Sequence, residues 1–591
     1  MTLLLTPNFA RALRVAVVAA VALALLLLSA CAGRAASNPV QTENDFPGSP
    51  GWLLQGATGH AIEVYASETS VLPGGSVSLH VSTSPAARYR ILVFRLGWYG
   101  GAGARRVACV PGCTTDQPGV PLSAPPPGPD GAVRAGWPVT TTVAFGSGWA
   151  SGYYLIEALL TTGPQAGRVA TTYVIEREPP GRAAAILVRV PVNTWQAYNG
   201  WGGFSLYNFS TTAPGSDRAH HVSFDRPYDW TLPGAQGPLQ WELPLVRFLE
   251  REGYDVSYQT DVDTHREPGS LLRHRLVIVA GHGEYWTRQE RDALDAARDR
   301  GLNLAFMGAN MGYWQIRYED AERTIVGYKS TYDPNPDPSA KTAMFRELQP
   351  PRYECELLGV QHAGGALNWG VSDYVVPPAA ASDRWFANTG LSASSTLRGL
   401  VSVEADSIPP GATAASSCGH PVTVIFHHEA GGDFAGNADA VRYTAPSGSE
   451  VFSAGSLQFV WGIDDFSPDG LGHGLVDPRL QQFMRNVLTE MTVPPSVPPV
   501  SAPSSVPPSS TPPSVPPSSV PPQPARITPR RVREAARNPD PAPRDAESAK
   551  SASRSAVSAG TRAAPRVRPG RHPFRPGAPG RASRAPFRAS S

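Results

Sequence analysis

The stretch Leu276-Val277-Ile278-Val279-Ala280-Gly281-His282-Gly283-Glu284-Tyr285-Trp286-Thr287-Arg288-Gln289-Glu290 decides the fold. Its first five residues are an unbroken apolar run, as in a strand buried on both faces of a parallel sheet. Thr287 with Glu290 three residues later reads as a capping box, so a helix starts there. The helix runs to about Arg300 and Gly301 terminates it. Asn303-Leu304-Ala305-Phe306-Met307-Gly308 is the next strand. Strand, helix and strand in this order predict a βαβ unit.

Working outward, Ala185-Ile186-Leu187-Val188-Arg189-Val190 is another buried strand. Leu245, Phe248 and Leu249 keep helical spacing in a helix that ends near Gly253. Val422 to Phe426 and Val451 to Gly455 are later strands. The predicted α/β domain spans residues 183–490. Before Pro179-Pro180 the pattern is different. Ile62 and Val64, then Val77, Leu79 and Val81, alternate with polar neighbours around a Pro73-Gly74-Gly75 turn. Tyr89 to Leu96, Thr140 to Phe145, Gly152 to Leu160 and Val169 to Ile175 are further strands. Short strands between Gly/Pro turns predict an immunoglobulin-like β-sandwich over 56–180.

The chain has 591 residues, 61 of them Pro, and only 17 % are charged. So much Pro excludes a coiled coil or helical repeat array. A 41 % hydrophobic content excludes wholesale disorder. At the N-terminus, Arg11 and Arg14 precede an apolar run from Val15 to Leu28. The Leu28-Ser29-Ala30-Cys31 ending resembles a bacterial lipobox. The expectation is a signal peptide over 1–31, lipidation of Cys31, and an exported, membrane-anchored lipoprotein on the extracytoplasmic face. An uncleaved anchor is the other reading, although the run is short for the ~20 residues that span a bilayer. Residues 32–55 read as a linker.

Four cysteines remain: Cys109, Cys113, Cys355 and Cys418. An oxidising compartment favours disulfides over zinc. Four cysteines allow three pairings, and sequence does not choose among them. At the other end, residues 491–525 form a Pro/Ser-rich linker, and 526–591 read as a disordered basic tail. The tail holds 16 Arg or Lys against 4 Asp or Glu, a net of +12 in a chain whose total is +2. In an exported protein this charge suits an anionic envelope polymer, or serves only as a solvated tail. No specific nucleic-acid partner is expected.

In open α/β sheets, ligands bind beyond the carboxyl ends of the strands. Three segments fall there: Asn193 to Tyr207, Gly281 to Trp286, and Gly308 to Trp314 followed by Arg317. A Gly-x-Ser-x-Gly elbow is absent. No Cys follows a strand, which excludes a Cys-His amidotransferase mechanism. Glu284 stands where a nucleophile would, and a carboxylate serves better as base or metal ligand. His-Glu-x-x-His and Cys-x-x-Cys patterns are absent. Tyr198 and Tyr207 beside Trp195 and Trp201 also read as aromatic packing or a sugar-binding platform. His427-His428-Glu429 is not expected to ligate jointly, since neighbours on a strand face opposite ways.

These segments resemble the catalytic domain of the N,N-dimethylformamidase large (beta) subunit family. The matching residues are Ala197-Tyr198-Asn199, Ser205-Leu206-Tyr207, Gly281-His282-Gly283-Glu284-Tyr285-Trp286, and Asn310 with Trp314 and Arg317. Val451 to Gln458 and Trp461-Gly462-Ile463-Asp464 match too, as does Arg95-Leu96-Gly97-Trp98-Tyr99 in the sandwich. The resemblance implies a class I glutamine-amidotransferase-like α/β domain without its Cys. It also implies one ferric iron per chain, held by Tyr198, Tyr207 and Glu284. Two phenolates and a carboxylate are hard donors whose summed charge balances Fe³⁺. Water activation and carbonyl polarisation would follow. His282 would shuttle protons and Asn310 would orient water or carbonyl, beside Glu284 as catalytic residues. The implied activity is hydrolysis of the C–N bond of a small linear amide. The family usually has Asp where Gly283 stands here, which puts support of His282 and the metal in question. Whether a small subunit takes part is open. A second reading, of another class, is a non-catalytic surface protein that binds envelope carbohydrate or a protein partner.

Overall fold

The computed structural model describes residues 37–213, 217–230, 237–365, 371–413, 418–431, 434–468 and 472–493. The leader with Cys31, the greater part of the Pro/Ser-rich stretch and the basic tail lie outside the described residues. Among the described residues no helix is long and apolar enough to cross a membrane.

A nine-stranded sheet forms the centre of the larger part. Its order begins Val256–Thr260, Ile186–Val190, Leu276–Ala280, Asn303–Met307, Glu450–Ser453, and these five run parallel. Four antiparallel strands extend it, Ala438–Thr444, Thr423–His428, Ser372–Val375 and Thr396–Val401. The apolar run at 276–280 is unbroken because alternate residues enter different cores. Leu276, Ile278 and Ala280 pack on one face with Leu245 and Phe483. Val277 and Val279 pack on the other with Leu294 and Phe306.

The helix between strands 276–280 and 303–307 is Arg288–Asp299, with the Thr287 side chain accepting from Glu290 N. Only that half of the expected capping box forms. The Glu290 carboxylate turns inward instead, to Arg189, Asn193 Nδ2 and the Tyr318 hydroxyl. A guanidinium buried at Arg189 without a counter-charge costs several kcal/mol, which outweighs an N-cap hydrogen bond. Gly301 ends the turn at φ +87°, a conformation that side chains resist.

Ahead of this body, a three-stranded sheet (Glu63–Ala66, Ser76–Ser82, Thr141–Ala144) faces a six-stranded one built around Arg88–Leu96, Gly152–Leu160 and Val169–Glu176. Val77, Leu79 and Val143 meet Ile91, Val93 and Ile156 in a shared core. A buried ion pair crosses to the larger part, Arg95 to Glu250 at 2.8 Å, and Tyr258 donates to the same carboxylate at 3.0 Å. The Arg95-to-Tyr99 motif is thus framework: Tyr99 is buried on Arg95 and Glu43, and Arg247 lies over the Trp98 ring.

Part of the stretch read as a linker is ordered. Pro39–Asn44 is a helix with a capping box at Asn38, and Asn38 and Gln41 both donate to Gly253 O. At the far end, the helix Pro478–Thr492 is met by Asn303 and Arg275, which donate to Met491 O and Thr492 O. Disulfides join Cys109 to Cys113 and Cys355 to Cys418.

Candidate active site

Strand Ile186–Val190 has strand 256–260 on one side and strand 276–280 on the other. The chain direction across the sheet reverses there, which opens a crevice at the strand ends. The helix Val192–Tyr198 leaves the first strand, and Gly281 at φ +58° turns the chain after strand 276–280. Both deliver side chains into that crevice. Leu206 N donates to Ala197 O, folding the segment back so that Tyr207 lies beside Tyr198 with ring centroids 4.3 Å apart.

Three oxygen donors meet. Tyr198 donates to Glu284 Oε2 at 3.0 Å, and Tyr207 donates to Glu284 Oε1 at 2.5 Å. Burial first, then the Glu284 charge, pushes both phenols well above their ordinary pKa. They are therefore neutral donors unless a cation draws off their protons. The turn carrying Glu284 is clamped on all sides. Thr194 Oγ1 accepts from Glu284 N, while Tyr313 N and Trp314 N donate to Glu284 O. Asn193 Nδ2 donates to the next carbonyl, Tyr285 O.

His282 Nε2 lies 2.7 Å from Glu404 Oε2 and 3.5 Å from Glu284 Oε2. Burial opposes its charge, but Glu404 and then Glu284 raise its pKa to about 9. Burial likewise opposes the Glu404 charge, yet His282 and the Asn310 hydrogen bond hold Glu404 down at about 2. The pair is ionised. Asn310 donates from Nδ2 to Glu404 at 2.8 Å and from its backbone to Asp406 at 2.8 Å. Its backbone sits at φ +52°, and its Oδ1 is buried with no partner among the described residues.

Glu404, Lys329 and His362 were not found from sequence. Lys329 puts Nζ 3.3 Å from the Tyr207 ring centroid, and burial lowers its pKa to about 7. One signal was there to be used: the chain has three Lys among 51 basic residues. Unlike Arg, a buried Lys can lose its proton. Glu404 and His362 follow no strand of the parallel set. They arrive from an antiparallel pair, Gln361–Gly365 with Glu404–Ser407.

Gly283 has a packing reason. A Cβ there would stand 2.8 Å from Met311 Sδ and 3.2 Å from Val279 Cγ1. His282 takes its carboxylate from Glu404 instead. Arg317 and Asp464 are spent on framework pairs, with Asp333 at 2.5 Å and Arg247 at 2.7 Å. His427 meets Asp439 and Glu429, and His428 turns to Asp373 O. Among the described residues no three His, Cys, Asp or Glu side chains group around a metal position. The donor set at Glu284 differs in kind, since two of its three members are Tyr.

Residues 90–473 match the family model described as N,N-dimethylformamidase beta subunit-like, C-terminal. A search of curated proteins returned no match. Among solved structures, the mmIFT52 N-terminal domain aligns at 13 % identity. The alignment covers 42 % of this chain and 88 % of that one, with a TM-score of 0.24.

Proposed function

The chain belongs to the N,N-dimethylformamidase beta subunit-like family, and from that premise we propose that it hydrolyses the C–N bond of a small amide at Glu284, with ferric iron as its resident metal. The observation that carries this reading is the convergence of Tyr198, Tyr207 and Glu284 through oxygens 2.5–3.0 Å apart. Two phenols and a carboxylate are hard donors that fit Fe³⁺, and they would hold it. Bound there, such a cation supplies Lewis acidity to a carbonyl and to water.

The remaining work falls to the chain. Water adds to the amide carbon, the C–N bond breaks, and a proton passes to nitrogen, giving a carboxylic acid and an amine. His282, between Glu284 and Glu404, is placed to hold that proton and pass it on. Asn310 Oδ1 is free to accept from water or from an amide N–H. Lys329 over Tyr207 favours the phenolate form. We place the activity outside the membrane, on a lipid anchor at Cys31, on the strength of the leader sequence alone.

Metal analysis and visible absorption of the full chain test the reading, together with release of amine from a panel of formamides and acetamides. The expected result is about one iron per chain, as the single donor set implies. A phenolate-type band and amide hydrolysis should accompany it, and all three should be lost in Glu284→Ala. Stoichiometric iron in Glu284→Ala would overturn the ligand assignment. A colourless protein that cleaves no amide would overturn the function.

A further inference from the structure

Glu242 is a buried carboxyl that the mechanism leaves unused. It stands where the helix Pro238–Trp241 meets the helix Leu243–Arg251. Its Oε1 accepts from the Trp195 indole N–H at 3.2 Å. Its Oε2 is buried and has no hydrogen bond among the described residues. The same carboxyl lies against Gly281. A Cβ at Gly281 would stand 2.5 Å from Glu242 Oε1 and 2.8 Å from its Cδ. Only glycine leaves room for that approach, and its φ of +58° suits glycine as well.

The two contacts fall on the two segments that carry the oxygen donors. Trp195 lies in the helix Val192–Tyr198, close to one turn before Tyr198. Tyr207 is tied to the same helix, since Leu206 N donates to Ala197 O. Gly281 opens the turn that carries His282 and Glu284. Glu242 therefore touches both segments, and it is hydrogen-bonded to none of the three donors. Burial raises its pKa to about 8, the mark of a carboxyl taken out of water at a cost. A leucine would fill the same space without that cost. It would also leave the Trp195 N–H without its acceptor and the two segments without their polar link.

We propose that Glu242 is a positioning residue for the Glu284 site: by joining Trp195 to the Gly281 turn, it sets the separation at which Tyr198, Tyr207 and Glu284 close on one cation. The inference rests on the reading of that site as a metal-bearing amide hydrolase. Side chains that orient the ligands of a metal change its affinity by about 10–100-fold when they are removed. Glu242 acts on the segments and not on the ligand atoms, so its effect belongs at the lower end of that range.

The test compares the native full chain with Glu242→Gln and Glu242→Leu by iron affinity, visible absorption and crystal structures of the metal-free proteins. Glu242→Gln keeps an acceptor for Trp195 and should match the native chain. Glu242→Leu should bind iron roughly tenfold more weakly, with a shifted band and unchanged far-ultraviolet circular dichroism. Its metal-free structure should show the Tyr198 and Glu284 oxygens farther apart than the native 3.0 Å. Trp195→Phe breaks the same hydrogen bond from its other end and should weaken iron binding to a similar degree, a check that does not need Glu242→Leu to fold. Native iron affinity and an unmoved Tyr198–Glu284 distance in Glu242→Leu would overturn the proposal, as would native affinity in Trp195→Phe or a Glu242→Gln as weak as Glu242→Leu. If the native chain takes up no iron, the amide-hydrolase reading fails, and the crystal distance by itself upholds or overturns the positioning role.

Discussion

Tyr207 donates its phenol proton to Glu284 at 2.5 Å across 77 residues of chain. That is the short end of the range for a hydroxyl on a carboxylate. A proton held so tightly is the one a metal must displace. Tyr207→Phe removes the donor and leaves the ring under Lys329. It should lower iron occupancy and remove or shift the visible band while the far-ultraviolet circular dichroism stays unchanged. An unaltered band would exclude Tyr207 as a ligand.

Glu404→Gln takes away the counter-charge that keeps His282 protonated to about pH 9. The imidazole should then titrate at lower pH, as followed by NMR of histidine-labelled protein. Amide hydrolysis should fall by roughly 10²-fold, the scale of a lost proton-transfer group. A His282 titration unmoved by the change would show that Glu404 does not govern it.

Asp333 offers a pH test away from the site. Burial alone would raise its pKa, but Arg317 and Thr342 hold the carboxylate down at about 2. A depressed folded-state pKa adds stability above the ordinary value near ~3.9, lost as pH falls through the folded value. Asp333→Asn should therefore lower Tm at pH 7, and the gap from the native chain should close between pH 4 and pH 2. A gap constant over that window would sever the link to ionisation.

Leu294 is fully buried on the face of the sheet opposite helix 243–251. Leu294→Ala should cost about 2–5 kcal/mol, the span seen for such cavities. Urea unfolding would measure it. A cost under 1 kcal/mol would mean that the helix face has room to collapse.

Four of the five parallel strands were legible from their apolar runs, while Val256–Thr260, with Ser257 and Gln259 inside it, was not read as a strand. His282, Glu284 and Asn310 sit within a few residues of a strand end, whereas Tyr198 and Tyr207 come from the helix 192–198 and the segment that folds back after it. Glu404 had no such marker. It reaches the site through the pairing of 404–407 with 361–365, a contact between segments about 40 residues apart that no local pattern encodes. The helix at Pro39–Asn44 was missed because it spans only six residues and is too short to show a periodic apolar face. The Thr287–Glu290 pattern placed the helix start correctly and misassigned the Glu290 side chain, because Arg189 lies about 100 positions earlier.

The two docked end helices have a consequence for orientation. The first is fastened at Gly253, just before strand 256–260 begins, and the last at Arg275 and Asn303, where strands 276–280 and 303–307 begin. Glu284 lies past the opposite ends of those strands. Residues 37 and 493, the ends of the described part, thus lie on the side of the sheet away from the crevice. A bead or electrode coupled at residue 37 or residue 493 should therefore leave substrate access unobstructed.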